Sequence, residues 1–323
     1  FTPDSGSFSF RYNGHEVWFT RHIHRERPGE TKELVEFRTR STSLSLTALI
    51  NQIYQDHKQS QRQKTEVYRA AHNHSDEKVE WRLVSSQSRR IKTVVLAPET
   101  RNDLLADLES FLRPSTEEWY SEKGIPYRRG YLFNGPPGTG KTSLCMALAT
   151  NFNLPVYQLG LGSTEMNDSR LAELTDNLPR KCLLLFEDID AVGLENRETS
   201  PAERRDGVTL SGLLNVIDGP GAPEGRILIM TTNHADNLDE ALVRTGRVEK
   251  KYHFPMANKE CAKLLFRSLM SVESQEGEEL AEKFAEYIPD GKLSPADLQG
   301  YLIATRDCAC TAVQRVEAWV KEK

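Results

Sequence analysis

The sequence predicts an α/β fold built on a parallel sheet, with a β-rich region ahead of it and a small helical domain behind. Three observations carry this. Between residues 98 and 256, apolar runs of strand length alternate with segments of helical spacing, the pattern of a parallel sheet with crossover helices. A glycine-rich octapeptide, Gly135-Pro136-Pro137-Gly138-Thr139-Gly140-Lys141-Thr142, sits between the first of those strands and the helix that directly follows it. The pattern favours β structure before residue 98 and is only helical from residue 258. Three domains are therefore expected: 1–97, 98–256 and 257–323.

In the first region, residues 8–12 alternate, Asn13-Gly14 is the preferred two-residue hairpin turn, and Val17-Trp18-Phe19 continues the ribbon beyond it. Further strands are expected at 33–38, 65–69, 79–84 and 91–96, interrupted by one amphipathic helix at 45–59. Trp18, Tyr54, Tyr68 and Trp81 are expected to pack a β core. After Pro98, Leu104, Leu105, Leu108 and Leu112 recur at helical spacing, and Gly124-Ile125-Pro126 leads into the next strand. Strands are expected at 131–134, 155–159, 182–187, 227–232 and 252–254. Helices at 261–271, 278–287, 295–304 and 311–321 would complete a helical lid.

The 42 basic and 47 acidic residues leave a net charge of −5, which gives no sign of a nucleic-acid-binding surface. Five cysteines, an odd number without zinc spacing, read as reduced thiols in a reducing compartment. No apolar run approaches the roughly 20 residues of a membrane-spanning helix. The chain begins at Phe1 with no initiator methionine and no presequence pattern, so a fragment is expected, one from which an anchor or targeting segment could have been removed upstream. His22-x-His24, His72-x-His74 and Cys308-x-Cys310 lack further ligands in any recognisable pattern, and no metal is assigned to them.

The octapeptide completes the phosphate-binding pattern G-x-x-x-x-G-K-[ST]. Its glycines let backbone N–H groups wrap a phosphate, Lys141 reaches the β- and γ-phosphates of ATP, and the Thr142 hydroxyl faces Mg²⁺. Pro136, Pro137, Thr139 and Ser143 complete the expected nucleotide-binding stretch. Downstream, the apolar strand at 182–186 ends in Glu187-Asp188-Ile189-Asp190, where such a site needs one acid for the metal shell and one to polarise water. A second buried strand ends in Asn233, which taken alone suits a turn and beside these acids can hydrogen-bond a γ-phosphate and the attacking water. Arg244 and Arg247 follow at a spacing that suits guanidinium groups reaching a neighbouring subunit's γ-phosphate.

Together these motifs resemble the AAA branch of the AAA+ ATPases: GPPGTGKT, the acidic strand end, then T-T-N-x-x-x-x-L-D-x-A-L-x-R-x-G-R from Thr231 to Arg247. The resemblance implies a P-loop NTPase core with a five-stranded parallel sheet and a small helical lid. It also implies ATP at a subunit interface and a ring homo-oligomer. A finer resemblance lies in Trp119-Tyr120, in Gly124-Ile125-Pro126-Tyr127-Arg128-Arg129-Gly130-Tyr131-Leu132, in Glu187-Asp188-Ile189-Asp190, in Leu210-Ser211-Gly212-Leu213-Leu214-Asn215 before Asp218-Gly219, and in Ser294-Pro295-Ala296-Asp297-Leu298-Gln299-Gly300. With a β-rich domain in front, these are similar to the Bcs-type mitochondrial inner-membrane chaperones.

That likeness implies an ATP hydrolase, facing the matrix, with an upstream transmembrane segment. Its cargo would be a protein, the folded Rieske iron–sulfur protein of respiratory complex III, moved by a ring of seven subunits. By the same likeness Glu187 takes the metal-shell position beside Thr142, Asp188 that of the water-activating acid, Asn233 that of the sensor, and Arg244 and Arg247 those of the arginine fingers. Two departures stand out. Asp188 is one methylene shorter than the usual glutamate, and Thr245 replaces the usual proline. The segment 160–170 holds no aromatic residue, so peptide threading is not supported. The charged stretch 195–206 reads as a loop, pore-lining or simply solvated. Rival readings remain: a nucleotide-gated scaffold that hardly turns ATP over, an AAA paralogue with a different protein client, or a nucleic-acid remodeller of the same ATPase superfamily, which the net charge does not encourage.

Overall fold

The computed structural model describes residues 6–27, 30–42, 44–62, 64–73, 78–162, 166–191, 207–219, 222, 224–272 and 274–323. The charged stretch 195–206 and the middle of the segment 160–170 lie outside them. The chain divides into two compact units, residues 1–62 and 63–323.

The first unit is an antiparallel sheet of β1 (Gly6–Tyr12), β2 (His15–Arg27) and β3 (Glu30–Thr39), in that order, followed by helix α1 (Leu46–Arg62). Asn13 and Gly14 both have positive φ, 49° and 79°, the conformation whose twist matches the paired strands they join. The resulting register brings Phe8 opposite Phe19 and Phe19 opposite Phe37, with ring centroids 4.8 and 5.3 Å apart. Ser45 caps α1 by accepting the Ala48 N–H at 3.2 Å.

The second unit is built on a seven-stranded sheet. Its strands are β4 (Thr65–Asn73), β5 (Lys78–Gln87), β6 (Arg129–Asn134), β7 (Val156–Gly160), β8 (Leu183–Glu187), β9 (Ile227–Thr232) and β10 (Lys250–His253). Their spatial order is β10-β6-β9-β8-β7-β4-β5. The five strands expected after residue 98 form the parallel part. The hairpin β4–β5 extends it, with β4 parallel to β7 and Arg69 opposite Gln158. Two strands expected in the first domain thus hydrogen-bond into the large sheet.

Tyr68 and Trp81 follow those strands. Tyr68 stacks on Tyr157 of β7 at 4.8 Å, and Trp81 meets the same ring edge-on at 4.9 Å while its indole donates to the Leu174 carbonyl at 2.9 Å. They pack against the large sheet rather than a separate β core, and Tyr54 is exposed. The strand expected at 91–96 is instead a 3₁₀ turn at Ile91–Thr93 leading into irregular chain. Val94 and Leu96 plug one face of the sheet while Val95 packs on the lid, so this apolar run serves two cores instead of a ladder.

Helices α2 (Pro98–Phe111), α3 (Pro114–Glu122), α4 (Lys141–Phe152), α5 (Asp168–Asp176) and α6 (Leu210–Asp218) surround the sheet. Alternate strand residues serve opposite faces. Tyr131, Phe133, Val156, Leu183, Leu185 and Ile229 meet α2 and α4, whereas Leu132, Leu159, Leu184, Phe186 and Met230 meet α5 and α6. Burial on both faces explains why the parallel strands read as unbroken apolar runs. The lid comprises α7 (Lys259–Met270), α8 (Gln275–Glu286), α9 (Pro295–Ala304) and α10 (Ala309–Glu322) around Phe266, Phe284 and Tyr301.

A polar clamp fixes α2 across β6 and β10. Asp107 accepts from Arg129 Nε at 2.9 Å and from the Tyr131 hydroxyl at 2.6 Å; Asp103 accepts from Lys250 at 2.8 Å and from Tyr252 at 2.7 Å. Burial alone pushes the Asp107 carboxyl up, but the hydrogen bonds from Arg129 and Tyr131 and the charges of Arg129 and Lys250 outweigh it and hold it below its ordinary 3.8. The ionised form is therefore favoured by folding. Its contribution is present above the ordinary value and disappears as pH falls through the lowered one. Asp107→Asn should cost about 2 kcal/mol at neutral pH, and urea titrations should show the gap from wild type closing as the pH drops below 3.8.

Candidate nucleotide site

The octapeptide leaves the carboxyl end of β6, where the strand order reverses between β10 and β9. Open α/β sheets bind ligands at such switch points. Three of its glycines, Gly135, Gly138 and Gly140, have positive φ of 142°, 77° and 100°. A Cβ on Gly135 would lie 2.1 Å from the Phe254 carbonyl oxygen, so the loop needs glycine there for space as well as for backbone freedom. The first bond of α4 runs from Leu144 N–H to the Gly140 carbonyl at 2.9 Å. The N–H groups of Lys141, Thr142 and Ser143 precede it at the helix end that favours anions.

Lys141 is 8% exposed. Its ammonium donates to the carbonyls of Gly135 (2.6 Å) and Pro136 (2.9 Å) and to Asn233 Oδ1 (2.7 Å). Burial pulls its pKa down, and the charges of Asp188 and Asp190 act the other way. Thr142 donates its hydroxyl to Glu187 Oε1 at 2.7 Å, and Gln158 donates its amide N–H to Glu187 Oε2.

Asp188 follows β8 with φ of 49°, an uncommon conformation for a side-chain-bearing residue. Its N–H donates to Thr231 Oγ1 at 3.3 Å, and its carboxylate accepts from Asn233 Nδ2 at 3.3 Å. The Asn233 amide therefore bridges Lys141 and Asp188, its orientation fixed because an ammonium only donates and a carboxylate only accepts. Asp190 accepts from Thr232 Oγ1 at 2.8 Å. The sequence-predicted P-loop, Glu187, Asp188 and Asn233 are thus brought together.

The two arginines are placed differently. Arg247 donates Nε to Asp218 at 2.6 Å and Nη1 to the Ala241 carbonyl at 2.5 Å, while Arg244 is exposed. Neither lines the cleft of its own chain.

That cleft measures about 360 Å³, within the usual size of a small-molecule site. Beyond the expected residues it is lined by Arg89, Thr93, Val94 and Val95 on one side and by the lid residues Leu265, Ala296 and Gln299 on the other. Sequence reasoning missed both walls. The apolar run at 93–95 was visible but reads as strand, and nothing local distinguishes Arg89 or Leu265. Arg89 Nε is buried with no hydrogen-bond partner among the described residues, an orphaned donor that a bound acceptor would satisfy. With all-oxygen donors at Thr142 and Glu187, three left-handed glycines and a buried ammonium, the residues fit ATP and Mg²⁺, a hard cation held by few protein ligands plus phosphate.

Comparison with known proteins agrees with this geometry. Residues 131–256 match the ATPase family associated with various cellular activities (AAA), residues 259–318 the mitochondrial chaperone BCS1-like ATPase lid domain, and residues 1–94 the BCS1 N-terminal domain. The probable mitochondrial chaperone BCS1-A of Dictyostelium discoideum is 34% identical over 98% of this chain and 76% of its own length. The probable mitochondrial chaperone bcs1 of Schizosaccharomyces pombe is 35% identical over 79% of this chain, and the mitochondrial chaperone BCS1 of Homo sapiens is 35% identical over 74%. The matches cover 54% and 58% of the lengths of these last two.

The glycine positions permit a direct check. Gly135→Ala should destabilise the protein by at least about 1 to 3 kcal/mol, because both backbone strain and the Phe254 carbonyl oppose it. Gly300→Ala, at an exposed site inside α9 with open space around it, should raise stability by about 0.5 to 1 kcal/mol. Thermal unfolding of the two variants without nucleotide distinguishes a required glycine from an incidental one.

Proposed function

The chain belongs to the BCS1-type AAA ATPases, and from that premise we propose that it is a mitochondrial chaperone that moves or remodels a protein cargo by hydrolysing ATP in a homo-oligomeric ring. The observation that carries this reading is the asymmetry of the site. One chain brings together Lys141, Thr142, Glu187, Asp188 and Asn233, while Arg244 sits exposed outside its own cleft. Arg89 is the one arginine that lines the cleft of a single chain among the described residues, so a finger such as Arg244 would have to come from a neighbouring copy, as a ring provides.

In the proposed chemistry, Gly135, Pro136, Pro137, Gly138, Thr139, Gly140 and Ser143 cradle the phosphates through the loop backbone and the N-terminus of α4. Lys141 turns from its carbonyl acceptors to the β- and γ-phosphates. Thr142 and Glu187 would hold Mg²⁺, which when bound would neutralise phosphate charge. Asp188 takes the proton of the attacking water, and its left-handed backbone is the kind of strain that functional sites retain. The Asn233 amide, already tied to both Lys141 and Asp188, orients that water and registers the γ-phosphate. Arg244 stabilises the transition-state charge on the neighbour's nucleotide, an effect worth a thousandfold or more elsewhere. Arg247 would have to leave Asp218 to do the same.

The likeness to BCS1 chaperones supports placing the protein at the mitochondrial inner membrane, facing the matrix, through an upstream segment. Among the described residues no helix is long and apolar enough to cross a membrane. The same likeness supports a folded cargo, the Rieske iron–sulfur protein, and a ring of seven.

The trans arrangement is tested by mixing two crippled variants. Lys141→Ala and Arg244→Ala should each reduce ATPase activity at least a hundredfold while circular dichroism stays unchanged. Co-assembled, the two should regain a measurable fraction of the wild-type rate, because some interfaces pair an intact Lys141 with an intact Arg244. No regain in rings shown to contain both variants would refute action across the interface.

A further inference from the structure

On the face of the large sheet covered by α4, the central strands present Val156, Leu183, Leu185, Ile227 and Ile229, all buried and apolar. Gln158 shares that face and is only 7% exposed. A buried amide on an apolar face needs partners for both ends, and this one has them. Its Oε1 accepts from Arg69 Nε at 3.0 Å, and its Nε2 donates to Glu187 Oε2. The orientation is dictated by the neighbours, since a guanidinium can only donate and a carboxylate only accept. Parallel register makes this contact possible: Arg69 lies opposite Gln158, and Gln158 lies one diagonal step from Glu187.

The two Glu187 oxygens are therefore used separately, Oε1 by Thr142 at 2.7 Å and Oε2 by Gln158. Without Gln158, Oε2 would lose the donor that holds it, and the carboxylate could turn away from Thr142. We infer that Gln158 is a positioning residue for the metal-holding acid, and that the chain Arg69, Gln158, Glu187, Thr142 transmits the position of strand β4 to the magnesium site. Arg69 lies within the stretch that matches the BCS1 N-terminal domain. The relay thus joins β4 to the nucleotide site, within the second unit, by three hydrogen bonds through side chains. The inference rests on the assignment of Thr142 and Glu187 to Mg²⁺.

The test separates metal binding from nucleotide binding. Binding of Mn²⁺, a spectroscopic substitute for Mg²⁺, is titrated by electron paramagnetic resonance at saturating ATP analogue. Binding of a fluorescent ATP analogue in EDTA is measured in parallel. Gln158→Leu should raise the half-saturating Mn²⁺ concentration about tenfold, as loss of an outer-shell partner does at other metal sites. Its metal-free nucleotide affinity should stay near that of wild type. Arg69→Ala should shift Mn²⁺ binding in the same direction by a smaller factor, and should add nothing in the Gln158→Leu background. Unchanged Mn²⁺ binding in Gln158→Leu, or an equal loss of metal-free nucleotide binding, would overturn the positioning role. A full Arg69 effect persisting in the double variant would overturn the relay. Thr142→Ala serves as the control: if it leaves Mn²⁺ binding untouched, the metal assignment itself has failed.

Discussion

A buried ammonium with no carboxylate in direct contact among the described residues is the constraint around which the site is arranged. Lys141 is compensated by two carbonyls of its own loop and by the Asn233 amide, while Asp188 and Asp190 act on it through their charges. Hydrogen bonds to charged groups contribute about 1.5 to 3 kcal/mol each, and a missing one leaves a desolvated charge exposed to its full penalty. The loop is therefore held in shape by the Lys141 ammonium itself. Any phosphate that takes over the ammonium competes with Asn233 Oδ1, and the other end of that amide is bonded to Asp188. A single side chain, Asn233, thus joins the ammonium to the Asp188 carboxylate.

The sheet makes this coupling short. β6, β9 and β8 are parallel neighbours, so their carboxyl ends emerge side by side, carrying the loop, Thr231 to Asn233, and Glu187 to Asp190. Burial on both faces fixes the register of each strand, because slipping by one residue would exchange the α4-facing set for the α5- and α6-facing set. Precision at the site thus comes from apolar packing several residues away. The clamp of Asp103 and Asp107 adds a polar restraint at the opposite end of β6 and β10, where Arg129 and Lys250 begin those strands.

Much of this was legible from residue order alone. The phosphate loop, the acidic strand end, Asn233 and the Asn13-Gly14 turn are local signals, each needing a residue type for a conformation or a donor that nothing else supplies. What escaped were choices of partner. The run 91–96 is apolar enough for a strand, but whether it pairs or plugs is decided by the sheet and lid that receive it. The hairpin β4–β5 was legible as strands but not as part of the large sheet, since only the meeting of Tyr68 and Trp81 with Tyr157 reveals its neighbour. Gln158 carries no local signal within its short strand; its significance lies in a diagonal contact 29 residues away in sequence.

The lid is tied to the phosphate loop by geometry that leaves little slack. Ala296 N–H donates to the Gly138 carbonyl at 3.1 Å, and a Cβ on Gly138 would stand 2.9 Å from Ser294 Oγ. Ser294 and Asp297 cap α9 reciprocally, so the residues nearest the loop are those that fix the start of the helix. Hydrogen bonds from Ser294 and Lys323 hold the Asp297 carboxyl below its usual range, and Lys323 reaches it from beyond α10 at 2.9 Å. Behind that cap, Phe284 and Tyr301 stack at 6.1 Å and Tyr301 and Trp319 lie 4.5 Å apart, joining α8, α9 and α10 into one packed body. An unbroken series of contacts thus runs from Gly138 through the cap of α9 to the packed helices α8 and α10.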